Sequence, residues 1–93
     1  MSSNKFELIE KEAVEHLKFP ATEVLTDTSK IEERKTALNR ALTLGNLEHS
    51  KIYFEDDNSF KYIETTVWGI TDKRIILKQG MVIPINRVHS VKI

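Results

Sequence analysis

The chain has 93 residues, 40% hydrophobic and 30% charged, and its fourteen basic and fourteen acidic residues cancel. That length holds one hydrophobic core, the mixture is that of a folded domain and not of a disordered tail, and zero net charge removes the broad positive field of a protein that coats nucleic acid or an anionic membrane. With no cysteine in the sequence, disulfides, thiolate catalysis and cysteine-ligated zinc or iron–sulfur centres are excluded.

The expectation is a single domain over residues 1–93, with a helical part at about 5–46 and a β part at about 50–93. Met1-Ser2-Ser3-Asn4-Lys5 leads into a charged segment in place of an apolar signal core, and no apolar run approaches the ~20 residues of a membrane span. The sequence therefore reads as cytoplasmic, with no membrane span.

From Lys5 to Lys18, Phe6, Ile9, Ala13 and Leu17 recur at spacings of three and four, the period of a helix. Phe19-Pro20 ends it, because proline disfavours the α conformation in the residue before it. Glu23-Val24-Leu25 reads as extended. Ser29 followed by Glu32 has the form of a capping box and opens a second helix over about residues 30–44, with Ile31, Leu38, Ala41 and Leu42 as its buried stripe and Gly45-Asn46 as its stop.

After Leu47 the period changes to two and β-branched and aromatic residues dominate, which predicts four strands: Lys51–Glu55, Phe60–Thr71, Lys73–Gln79 and Met81–Ile93, the last broken near Asn86-Arg87. Asp56-Asp57-Asn58-Ser59, Thr71-Asp72-Lys73 and Gln79-Gly80 are short turn signals that make the sheet antiparallel. Gly69 predicts a bulge, and Pro84, which has no N–H, an edge strand. Ile52 and Phe54, Ile75 and Leu77, and Ile83 and Ile85 each share one face of a strand and need cover. The predicted fold is α+β: two N-terminal helices packed on a curved antiparallel sheet of about four strands, with the outline of an SH3-like or pleckstrin-homology-like small barrel.

The run Trp68-Gly69-Ile70-Thr71-Asp72-Lys73-Arg74-Ile75-Ile76-Leu77-Lys78-Gln79-Gly80, followed by Ile83-Pro84-Ile85 and Arg87-Val88, resembles the strand repeat of bacterial pleckstrin-homology-like domains over about a quarter of the chain. That resemblance implies docking to an acidic lipid or a protein. Arg40-Ala41-Leu42-Thr43-Leu44-Gly45-Asn46 and Glu64-Thr65-Thr66-Val67-Trp68-Gly69-Ile70-Thr71-Asp72-Lys73 resemble a small uncharacterised Bacteroidetes-type protein family, which implies no activity. In outline the chain is also similar to Sm-like and SH3-like barrels, several of which bind RNA.

No motif carries catalysis. Serines lie outside any G-x-S-x-G elbow, three glycines leave no material for a phosphate loop, and His16, His49 and His89 share no metal-ligand spacing. Glu55-Asp56-Asp57-Asn58 lacks the alternating acids and the distal glutamate of a calcium loop. The reading is a non-enzyme without metal or cofactor. Tyr53, Tyr62 and Trp68 lie in strands with Arg74, Lys78 and Arg87 near them in sequence, the residue types on which bases stack and to which phosphates bind. Ile76, between Arg74 and Lys78, is an apolar residue on the outward face and fits a protein interface. These seven residues are the expected binding surface of an interaction module whose partner is a protein, including a second copy of the chain as a homodimer. The alternatives are RNA or single-stranded nucleic acid, and an acidic lipid.

Overall fold

The computed structural model describes residues 6–45 and 49–92. In chain order they form β1 (Glu7–Leu8), a 3-10 helix (Lys11–His16), α1 (Thr28–Leu44), β2 (Ser50–Glu55), β3 (Phe60–Thr65), β4 (Val67–Ile70), β5 (Arg74–Leu77), β6 (Val82–Pro84) and β7 (Val88–Lys92). The class is α+β, with one α-helix and two sheets, ordered β1-β3-β2-β7 and β4-β5-β6. The expected pair of helices on a single four-stranded sheet is thus corrected on both counts.

Over their described part residues 5–18 do not form one α-helix: only Lys11–His16 are helical, as a 3-10 helix, and the residues before them are extended. Glu7 and Leu8 run parallel to β3, opposite Lys61 and Tyr62, and the Ile9 N–H donates to the Tyr62 carbonyl at 3.1 Å. The three-four spacing is real, but its residues serve two surfaces. Phe6 packs on aromatic rings of the sheet, while Ile9 and Leu17 pack against the core and Val14 is buried in it at 2% exposure. No straight helix can satisfy both, so tertiary packing overrides the local period.

Helix α1 begins two residues earlier than its sequence signal. Asp27 is the cap, its carboxylate accepting from the Ser29 N–H at 2.9 Å and the Ser29 hydroxyl at 2.8 Å. These bonds hold the Asp27 carboxyl below its ordinary pKa. Gly45 ends the helix with φ of +53°, and its N–H donates to the Ala41 carbonyl; Asn46 lies outside the described residues. Of the expected stripe Leu38 and Ala41 are buried while Ile31 and Leu42 are only half-buried, and Arg34, which the sequence pattern did not mark, completes the buried stripe.

The long second strand breaks at Thr66 into β3 and β4, which belong to different sheets, and the register slips between Val67 and Gly69 where glycine signalled a bulge. The last strand breaks at a 3-10 turn, Ile85–Arg87, and Pro84 lies on β6, an outer strand of its sheet. Gln79 and Gly80 both have positive φ, +71° and +83°, the backbone that matches a tight hairpin to the strand twist. At the Thr66 break the chain passes from β3 into β4 and so leaves the larger sheet for the smaller. One core joins them: Ile52, Phe54 and Ile63 from the larger sheet, Val67, Ile75, Leu77 and Ile83 from the smaller, Leu38 and Ala41 from α1. Among the described residues no helix is long and apolar enough to cross a membrane.

Candidate functional site

Three buried cations fasten the connections around this core. The Arg34 guanidinium donates to both carboxylate oxygens of Glu23, at 2.7 and 2.8 Å, and to the Val88 carbonyl at 3.0 Å. The hydrogen bond from Arg34 outweighs burial and holds the Glu23 carboxyl below its ordinary pKa. Lys61 donates to Asp56 at 2.9 Å, and Asp56 also accepts from the backbone amides of Asn58 and Ser59. Burial alone would raise the Asp56 carboxyl, but those amides and the ammonium outweigh it and lower the pKa.

Arg87, expected on the binding surface, is 5% exposed. Its guanidinium donates to the Glu55, Asp56 and Thr22 carbonyls and to the Thr22 hydroxyl, at 2.9–3.3 Å. The 3-10 turn after Pro84 rotates it inward. It ties the segment before α1 to the end of β2 with four of its five N–H donors, and its Nη2 also lies 3.7 Å from the Glu55 carboxylate.

The other six expected residues divide between the sheets. Tyr53 and Tyr62 face each other across β2 and β3 with ring centroids 5.0 Å apart, and Lys92 lies 5.8 Å above Tyr53. Phe6 sets its edge against Tyr53, Phe60 and His89 at 5.2–5.5 Å, and the His89 Nε2 lies 3.0 Å from Glu55. These rings form one half-buried cluster on the outer face of the four-stranded sheet.

Trp68, Arg74, Ile76 and Lys78 belong to the three-stranded sheet or its turn. Ile75 and Leu77 have no exposed surface, so Ile76 between them points outward. It pairs in register with Gly69 and Val82, and its side chain covers Gly69, where an added Cβ would sit 3.5 Å from Ile76 Cδ1. Trp68 is 51% exposed at the bulge and Val82 is 39% exposed on β6. Arg74, two residues before Ile76, shares its face and is exposed; Lys78 is half-buried in the turn.

The structure therefore brings together an apolar strip, Trp68, Ile76 and Val82, flanked by Arg74 and Lys78, and separates it from the tyrosines. Val82, Phe6 and His89 were missed by the sequence reading. For Val82 the alternation with buried Ile83 was a usable signal; for Phe6 and His89 there was none, because their partners are distant in sequence. A cleft of about 360 Å³ opens between α1 and the β4–β5 turn, lined by Ile31, Leu38, Ile70 and Ile85 with Lys35 and Asp72 at its sides. Among the described residues no group of three or more acidic or histidine side chains is placed to hold a metal ion. Compared with protein-family models, with curated proteins and with solved structures, the chain matches none.

Proposed function

We propose that this chain is a non-enzymatic interaction module of the cytoplasm that docks a protein partner, foremost a second copy of itself, on the outer face of its three-stranded sheet. The observation that carries this reading is the apolar strip of exposed Trp68 and Val82 with half-buried Ile76, on a sheet whose outer strand β6 pairs only with β5 among the described residues. Exposed large apolar side chains grouped on one face are what an interface core needs, and flanking cations supply a polar rim. Two sheets that share one core, with a sharp break at Thr66 between them and a 3-10 turn before the last strand, support the small-barrel outline as the finer description of the fold.

The nucleic-acid alternative asks for tyrosines and cations on one face. Here Tyr53 and Tyr62 stack on each other with Lys92 over Tyr53, while the expected cations Arg74 and Lys78 belong to the other sheet, so the predicted joint surface is split and protein docking is preferred. Acidic-lipid docking asks for a cation cluster, and Arg74 and Lys78 alone make a weak one.

Size-exclusion chromatography with light scattering, on protein purified without nuclease, tests both readings. The expected result is a mass that rises above the monomer with concentration, an absorbance ratio free of nucleic acid, and a monomer for Val82→Glu. A monomer at every concentration rejects self-association, and co-purifying nucleic acid turns the reading to the alternative.

A further inference from the structure

The outer edge of β3 is filled by the chain's own N-terminal segment. Glu7 and Leu8 add to it as a parallel strand, the Ile9 N–H reaches the Tyr62 carbonyl, and Phe6 enters a socket of three rings, Tyr53 of β2, Phe60 of β3 and His89 at the start of β7. The socket is held without Phe6. Tyr53 stacks on Tyr62, His89 is fixed by Glu55 at 3.0 Å, and Phe60 packs on His89 at 5.4 Å.

The occupant is held far less firmly. Its strand has two residues, both exposed, and the Leu8 side chain is 54% exposed, so apart from Phe6 and the half-buried Ile9 it adds backbone bonds and little packing. The first fully buried residue is Val14, and Ile9 meets the core only from a half-buried position, so Phe6–Ile9 can lift while Val14 stays in place. An edge that accepts an extended segment through main-chain bonds, with one side-chain pocket for selection, has the parts of a strand-addition site.

We propose that the β3 edge and its ring socket form a docking groove for an extended peptide, occupied in cis by Phe6–Ile9 and vacated when that segment lifts away. The partner's segment carries an aromatic residue followed by a polar and then aliphatic residues, as Phe6-Glu7-Leu8-Ile9 does, and adds as a parallel strand with its ring between Tyr53, Phe60 and His89. This groove lies on the other sheet from the Trp68 strip and stands independently of it. Because a closed groove weakens apparent affinity by the fraction of molecules that are open, loosening the cis segment tightens binding of a competitor.

The probe is a synthetic peptide of residues 4–10 of the chain itself, titrated into full-length protein by NMR. Phe6→Ala protein is expected to bind it at least tenfold more tightly than the wild type, with amide shifts at Tyr53, Phe60, Tyr62 and His89, and a peptide with alanine in place of its phenylalanine is expected not to bind. A folded Phe6→Ala protein that binds the peptide no better than wild type overturns the proposal. Should that variant not fold, hydrogen exchange on the wild type decides: an Ile9 amide exchanging on the order of a hundredfold faster than those of Ile52 and Ile63 supports a segment that lifts by itself. Equal rates, meaning that it leaves only on global unfolding, overturn it.

Discussion

On the four-stranded sheet Tyr53 and Tyr62 are stacked and edged by Phe6, whereas on the three-stranded sheet Trp68 and Val82 stand 51% and 39% exposed. Both faces alternate with a fully buried inner face, so strand periodicity treats them alike. What separates them is the path of the N-terminal segment, whose described residues add an edge strand and the Phe6 ring to the first and no strand to the second. The cations divide in the same manner. Arg74 is exposed, while Arg34, Lys61 and Arg87 lie inside and satisfy backbone or carboxylate oxygens that would otherwise be buried without partners.

The sharpest test of this contrast is within one strand. Ile75→Ala, on the inner face, is expected to cost about 3–4 kcal/mol by leaving a cavity, and Ile76→Ala, one residue on, less than about 1 kcal/mol; chemical denaturation measures both. Similar losses at the two positions would mean that the outer face is covered.

Arg87→Ala is expected to cost about 3 kcal/mol, since it strands the Glu55, Asp56 and Thr22 carbonyls, and Arg74→Ala no more than about 0.5 kcal/mol. Thermal melts of the two variants compare an inner arginine with an outer one. An Arg87→Ala protein as stable as wild type would show that water replaces its bonds.

Acid should expose the inner network. Asp56 and Glu23 have folded pKa values below their ordinary ones, so their stabilisation is complete above the unfolded carboxylate range and is lost as pH falls from there through the lowered folded values. Stability is expected to decline from about pH 4 downward. Asp56→Asn should be less stable at neutral pH and show a flatter decline, read from urea midpoints across pH; an unchanged slope would assign the acid loss to other carboxylates.

The smallest effect lies where the two sheets meet. The hydroxyls of Ser50, Thr65 and Thr66 are buried with no hydrogen-bond partner among the described residues, and Ser50 and Thr65 face each other across β2 and β3. Thr66→Val keeps the shape and removes an unpaired polar group, so a gain of about 1 kcal/mol in denaturation is expected. A loss would reveal a bound water at the bend.

Much of this architecture is local, and local rules suffice for it. The buried pairs Ile52 and Phe54, Ile75 and Leu77 follow from period two; Gly80 marks its turn by positive φ, Pro84 an outer strand by its missing N–H, and Gly69 a register slip. Helix α1 was legible from its stripe and its glycine stop, although the cap belongs to Asp27. The N-terminal segment was not legible, because a parallel pairing with residues more than fifty positions away leaves no trace in a window of eighteen. Nor was the division of one long strand between two sheets, since Thr66 carries no turn chemistry and the bend comes from closing a shared core. Alternation assigned Ile76 to the outer face and the charges to the strands. Only the tertiary structure placed Arg87 inside, where a 3-10 turn reverses the alternation and buried carbonyls wait for its donors.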